Sequence, residues 1–462
     1  MTLAPNLAAV LDQIDATLPQ SIDRLIDLLR IPSISTDAAY KADCAKAADW
    51  LVADLAGLGF DASARPTPGH PMVVAHGGTG SGAHLLFYGH YDVQPVDPLS
   101  LWTRDPFDPA IEETPKGRVL RGRGASDDKG QLMTFIEACR AWKAVHGTLP
   151  GKLTIFLEGE EESGSPSLIP FMTENRAELT ADLALICDTG LYADSVPAIS
   201  TQLRGLAKAE FTLHAATRDL HSGAYGGLAR NPLHVMADLL AGLHDGQGRV
   251  MVPGFYDDVE ELSETLRQQW QGLAFDHAAY LGDVGLSLPA GEVDRTPLEI
   301  LWSRPTAEVN GMWGGYTGAG FKTVLPAEAS AKVSFRLVSR QDPAKVLTAF
   351  RAWAESRIPA DCRIEWHDGI NGSPASVMSI TNPAFEKART ALSDEWGRPA
   401  VFVGEGGSIP IAGYFKSVLG MDAMLVGFAK DDDQIHSPNE KYDIESFHKG
   451  IRSWARILAK LA

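Results

Sequence analysis

Apolar and polar positions along the chain fall into two alternating rhythms, helical stripes and short buried runs, and their order predicts an α/β protein. Ile22, Leu25, Ile26 and Leu29 recur at i, i+3, i+4 and i+7 behind Ser21, which is expected to cap a helix that Pro32 ends. A second helical pattern from Ala39 to Leu58 stops at the Gly57 to Gly59 segment. Met72 to Ala75, His84 to Tyr88, Ile155 to Leu157 and Leu183 to Cys187 are short apolar runs that predict strands. Between them lie a stripe of Leu132, Phe135, Ile136, Cys139 and Trp142 and a helical pattern near residues 166 to 178. Strand and helix in alternation predict a largely parallel, doubly wound sheet with helices on both faces.

The rhythm changes at about Gly205. Ala207, Ala209, Phe211 and Leu213 alternate with polar or small residues, and Asn231 with Pro232 opens a helix carrying Leu233, Met236, Leu240 and Leu243. Strands near Glu308 to Tyr316 and over Ser330 to Val338, a helix over Pro343 to Ser356 and a strand at Arg363 to Trp366 complete the order β, α, β, β, α, β. That order predicts a split βαβ, ferredoxin-like module. Residues 246 to 300 read as a long helical or irregular excursion within it. The parallel style resumes with a helix over Pro383 to Trp396, strands at Ala400 to Val403 and Met424 to Phe428, and a closing helix after Tyr442. The expected organisation is a catalytic domain in two parts, 1–203 and 379–462, with an inserted domain at 204–378.

Composition narrows the functional classes. With 462 residues, 45% hydrophobic and 22% charged, the chain has the make-up of an ordinary globular protein of two domains. A net charge of −18 opposes binding to nucleic acid or anionic lipid. No stretch approaches the ~18 consecutive apolar residues of a spanning helix. The first residues lack Lys and Arg and include Asp12 and Asp15, so neither a secretory signal nor a transit peptide is expected, and the expected location is the cytoplasm. Cys44, Cys139, Cys187 and Cys362 form no CxxC pair and read as reduced thiols.

Chemically able side chains gather where the strands end. The run TIFLEGEEESGS delivers Glu158, Glu160, Glu161 and Glu162 to the end of one strand. Such a run is either a solvated acidic loop or a site in which one carboxylate binds a cation and its neighbour moves a proton. His90 and Asp92 follow a second strand, Asp188 a third, Asp127 precedes a helix, and His436 lies in QIHSPNEKY. Each has a bland alternative, Asp127 as a helix cap, Asp188 as a turn cap, and a histidine as a hydrogen-bonded surface or core residue. Together they resemble a ligand set for two divalent metals. Three carboxylates and a hydroxide balance two 2+ ions, and mixed N and O donors suit Zn²⁺ or Mn²⁺ better than Ca²⁺. The glycines of RGRGASDDKG fit neither GxxxxGK[ST] nor GxGxxG, which sets nucleotide binding aside.

The motifs GHYDVQP, GRGASDDKG, LEGEEESGS, DLHSGAYGG, GEGGSIP and HSPNEKY, spread from Gly89 to Tyr442, resemble those of the M20 metallopeptidases, in particular the dipeptidase branch of carnosinases and cysteinylglycine dipeptidases. The resemblance implies that Asp127 bridges two metals, that His90 and Asp188 hold one, and that Glu162 and His436 hold the other. It implies Glu161 as general base, Asp92 behind His90, and a cis peptide between Asp127 and Asp128. It implies further that His221 acts on the site of a partner subunit and that Arg336, Thr323 and Ser408 receive the substrate's carboxylate. The third glutamate, Glu160, creates two adjacent Glu pairs; aligning on the following ESGS assigns Glu161 and Glu162 and leaves Glu160 as a bystander.

The resulting expectation is a cytoplasmic, homodimeric dipeptidase that cleaves the amide bond of small peptides with a metal-bridging hydroxide. Zn²⁺ is the first choice of metal, with Mn²⁺ and Co²⁺ as alternatives, and dimerisation is expected through the inserted domain. An N-acyl amino acid deacylase is the alternative, because the same machinery serves any amide beside a carboxylate.

Overall fold

Leu85, Leu86, Phe87 and Tyr88 are all buried, as are Ile155, Phe156 and Leu157 on the neighbouring strand. Runs without polar alternation are what a sheet covered on both faces requires. In the computed structural model, which describes residues 6–78, 82–193, 195–367, 369, 372–407 and 409–461, these strands lie at the centre of the larger sheet. The chain divides into two compact units, the first comprising Met1–Thr201, Met378–Val403 and Tyr414–Ala462, the second Gln202–Val377 and Gly404–Gly413.

In the first unit the strands run in the order Asp61–Arg65, Met72–Gly77, Lys152–Glu158, His84–His90, Leu183–Ile186, Ala423–Leu425 and Ala198–Leu203. The middle four, Lys152–Glu158 to Ala423–Leu425, are parallel, and the flanking pairs are antiparallel. The central sheet is thus largely parallel and the fold is mixed α/β. Helices Leu7–Leu29, Lys129–His146 and Ile444–Leu461 pack on one another, and the middle one also packs on the sheet. There Phe87 stacks on Phe135 at 3.9 Å, and Trp454 sets its edge against both rings. Truncating Phe135 to alanine would cost about 3–5 kcal/mol. On another strand, Phe156 stacks on Phe171 of the helix Leu168–Glu174 at 5.7 Å.

Two local expectations give way. Ser21 does not begin a helix, because the first helix runs unbroken from Leu7 to Leu29 with Asn6 as its cap and Pro19 inside it. The Ser21 hydroxyl instead bonds Glu137 Oε2 at 2.8 Å and the Thr17 carbonyl at 3.2 Å, so a tertiary partner has claimed the group that suggested a cap. The helix expected near 166 to 178 is two short ones, Leu168–Glu174 and Arg176–Leu179. They part at Asn175, whose side chain turns back to the Phe171 carbonyl at 2.9 Å.

The second unit is built on an antiparallel sheet in the order Thr306–Gly314, Glu328–Leu337, Gly205–His214, Arg363–Trp366. Ala329, Ala331, Val333, Phe335 and Leu337 alternate inward and share a core with Ala207, Ala209, Phe211 and Leu213. Helices Pro232–Ala241 and Pro343–Arg357 close that core through Met236, Leu239, Val346, Leu347 and Phe350. Lys332, Ser334 and Arg336 occupy the intervening positions and so belong to the other face. The stretch 246 to 300 carries the short helices Glu264–Gln271 and His277–Gly282 and the start of Pro297–Trp302.

Candidate metal centre

Parallel strands direct their carboxyl ends to one side of a sheet, and side chains just past those ends therefore converge. His90 closes the strand His84–His90 and pairs in register with Glu158, the last residue of Lys152–Glu158. Asp188 lies two residues beyond Leu183–Ile186. Asp127 sits just before the helix Lys129–His146, and its peptide bond to Asp128 is cis. Close packing shapes this turn: a Cβ on Gly130 would stand 1.8 Å from the Ala125 carbonyl oxygen.

Asp127 offers one carboxylate oxygen to each histidine. Oδ1 lies 3.0 Å from His90 Nε2, and Oδ2 lies 2.9 Å from His436 Nε2. Ligand-type atoms of His90, Asp127 and Asp188 come within 4.8 Å of one another, and so do those of Asp127, Glu162 and His436. The two triads share Asp127. His436 reaches its place from a left-handed backbone, φ +60°, a conformation a non-glycine residue adopts only when its surroundings enforce it.

Asp92 joins this centre to the glutamates. His90 Nδ1 lies 3.1 Å from the Asp92 carbonyl oxygen and 3.4 Å from its carboxylate. The same carboxylate accepts the backbone amides of Glu161 at 3.2 Å and Glu162 at 3.0 Å. Gln94 donates to Glu162 Oε2 at 2.6 Å, while Oε1 of Glu162 is buried with no hydrogen-bond partner among the described residues.

Glu160 has separate work. Buried, it accepts the His70 amide at 2.7 Å and the Ser167 amide at 3.0 Å, tying two loops together. Gly69 makes room for it, since a Cβ there would fall 1.4 Å from Glu160 Oε1.

The electrostatics are those of carboxylates crowded out of water. Burial raises Glu161, and it raises Glu162, helped by the negative charge of Asp127, to about 8. Asp188 also rises well above the usual range, again through burial first, with the attraction of His90 opposing. Asp127 goes the other way: burial opposes its ionisation, but hydrogen bonds from His436 and His90 hold its proton off. The hydrogen bond to Asp127 lifts His436 to about 9 against its partial burial. For His90, burial works against the charged form, yet hydrogen bonds to Asp127 and Asp92 carry it well above the ordinary value. Both histidines are drawn towards their charged forms by the carboxylates that face them, the place a cation would take. That donor set, with an unpartnered oxygen on Glu162, fits two divalent cations with N and O ligands.

A third acidic cluster, Asp432, Asp433 and Asp443, has its countercharge in the chain. Lys441 Nζ lies 2.7, 2.6 and 2.7 Å from the three carboxylates in turn.

The remaining residues singled out in the sequence belong to the second unit. His221 is exposed, pairs with Val324, and accepts the Gly223 amide on Nδ1 at 2.9 Å. The Ser222 amide donates to the Thr323 carbonyl at 3.0 Å, so His221 and Thr323 lie on adjoining segments. Arg336 pairs in register with Leu206 on one side and Thr306 on the other. Ser408 lies outside the described residues. Sequence reasoning missed the structural work of Glu160, Gln94 and Glu440. Gln94 and Glu440 sit inside quoted motifs, GHYDVQP and HSPNEKY, where only their tertiary partners reveal them.

Side chains able to hold a metal ion gather at the carboxyl edge of an α/β sheet, the arrangement of a metal-dependent enzyme, and the family match makes the class specific. Residues 86–460 match the model of Peptidase family M20/M25/M40, so the chain belongs to that family and is a peptide-bond hydrolase. It is 29% identical to a Cys-Gly metallodipeptidase of Schizosaccharomyces pombe over 99% of this chain and 98% of that protein. It is 30% identical to a cysteinylglycine-S-conjugate dipeptidase of Corynebacterium striatum over 86% of each. Among solved structures, an M20 family metallo-carboxypeptidase of Sulfolobus solfataricus aligns with TM-score 0.81 and 31% identity, covering 96% of this chain and 99% of that one.

Proposed function

We propose that the protein is a dinuclear-metal dipeptidase, in which Asp127 would be shared by two cations, with His90 and Asp188 completing one ligand set and Glu162 and His436 the other. The observation that carries this reading is the sharing of Asp127 between two ligand triads. Zn²⁺ suits the N and O donors, with Mn²⁺ or Co²⁺ as alternatives. Two bound cations would supply an activated water and a polarised scissile carbonyl.

The chain's own residues do the rest. Glu161 stands beside Glu162 but in neither triad, and burial raises its proton affinity, which suits a group that takes a proton from water and returns it to the leaving amine. Asp92 fixes His90 from behind and holds the backbone of both glutamates, so ligand and base are aimed by one carboxylate. Arg336, with Thr323 and Ser408, would take the substrate's free carboxylate; a guanidinium fork matches that group. His221 would polarise the scissile carbonyl in the site of a second copy of the chain. The edge position of Thr306–Gly314, with Val309, Met312 and Trp313 exposed, supports dimerisation through residues 204–378, because an unpaired edge invites pairing across a two-fold axis. No described helix is long and apolar enough to cross a membrane.

Dipeptides are favoured over N-acyl amino acids by the names of the relatives, a Cys-Gly metallodipeptidase and a cysteinylglycine-S-conjugate dipeptidase. Turnover of a panel of dipeptides and N-acyl amino acids, with Zn²⁺, Mn²⁺ or Co²⁺ restored to metal-free protein, tests the proposal. Hydrolysis of dipeptides only with metal supports it; preference for N-acyl amino acids would replace it with the deacylase reading.

A further inference from the structure

The segment that carries His436 is bound along the segment that carries Asp127. Lys441, Tyr442 and Asp443 pair antiparallel with Arg121, Leu120 and Val119. The Gly122 amide donates to the Glu440 carbonyl at 3.0 Å, and the Ser126 hydroxyl donates to Asp433 at 2.8 Å. At the centre of this seam lies the carboxylate of Glu440, fully buried. Its Oε1 accepts the amides of Ser126 at 2.9 Å and Asp127 at 3.0 Å. Its Oε2 accepts Arg123 Nη1 at 2.8 Å and the Gly124 amide at 3.0 Å.

We infer that Glu440 is a positioning residue that builds the metal centre in advance, holding the backbone of Asp127 and the His436 loop in one fixed relation before any cation arrives. This rests on the reading of Asp127 and His436 as ligands. A carboxylate with four donors around it cannot be exchanged for an amide in either orientation, because one pair of N–H donors would then face an NH₂ group. With its amide on Glu440, the Asp127 backbone is fixed, and only its side-chain torsions are left for His90 and His436 to set. The charge is also balanced locally by Arg123, so Glu440 is free to act through geometry and need not act as a ligand. Support of this kind behind metal ligands typically changes metal affinity by about 10- to 100-fold.

The test measures Zn²⁺ binding to metal-free wild type, Glu440→Gln and Glu440→Asp by competition with a chromophoric chelator, beside thermal unfolding of the same metal-free proteins. Both variants should remain folded at the assay temperature and bind at least one ion about 10- to 100-fold more weakly. Aspartate keeps the charge but falls short by a methylene, so wild-type binding by Glu440→Asp would show that charge alone matters and overturn the inference. Wild-type binding by Glu440→Gln would overturn it too. Should the variants fail to fold, hydrogen exchange of the metal-free wild type decides: amides over residues 124–127 should be protected without metal, and exchange at the rate of an open chain would overturn the inference. A wild type that takes up fewer than two ions would instead bring down the dinuclear reading beneath it.

Discussion

Glu160 accepts the backbone amide of His70 at 2.7 Å, across 90 residues of sequence, and this bond separates it from the two glutamates that follow. Its other oxygen is taken by the Ser167 amide. In Glu160→Gln one of these donors would face an NH₂ group, so we expect a loss of about 1–3 kcal/mol of stability and nearly normal turnover in the surviving folded enzyme. Glu161→Gln should keep its metals and its unfolding temperature while turnover falls by about 100-fold or more. Denaturation curves, metal analysis and kcat on both variants check the pair. The opposite pattern would place the base at Glu160.

Metal uptake should depend on pH with a definite sign. A cation needs neutral His436 and ionised Glu162, yet in the metal-free chain His436 keeps its proton to about 9 and Glu162 to about 8. Binding near neutral pH must expel protons, so affinity should rise as pH climbs through about 8 and 9. Calorimetry in buffers of different ionisation heat measures the release; none at neutral pH would contradict the assignment. In the metal-free protein the raised His436 also contributes stability that is complete below its ordinary 6.5 and lost as pH climbs through about 9.

Arg336→Lys retains the charge and loses the fork. If Arg336 grips a substrate carboxylate, kcat/KM for peptides with a free C-terminus should fall by roughly 10- to 100-fold, equivalent to about 1.5–3 kcal/mol. Peptide amides should suffer much less. An equal loss on both would point to a structural role in the sheet.

His221→Ala should lower kcat by about 100- to 1,000-fold, the usual cost of one oxyanion donor. Mixed with Glu161→Gln subunits under exchange, it should recover up to about a quarter of wild-type activity, because half of the dimers are mixed and one site in each is whole. Exchange without recovery, or a monomer with full turnover, would refute a shared site.

The sequence by itself determined the family and much of the element order. Unbroken apolar runs such as Leu85 to Tyr88 suit strands of a sheet covered on both faces. His90 and Asp188 at strand ends, and Asp127 before a helix, are legible because each is a polar break beside an apolar stretch. The alternation of Ala331, Val333, Phe335 and Leu337 marked one buried face just as clearly. Only the tertiary structure decided what each polar group does. Ser21 looked like a cap until Glu137 claimed it; Glu160 looked idle until His70 and Ser167 were folded against it. Glu440 reads as one more charge in an acidic chain, and becomes a clamp when residues 123 to 127, more than 300 positions earlier, bring it four donors. Hydrophobic periodicity is a local property and survives in one dimension. A hydrogen bond has no sequence signature of its own, since its energy depends on a partner that folding alone brings within 3 Å.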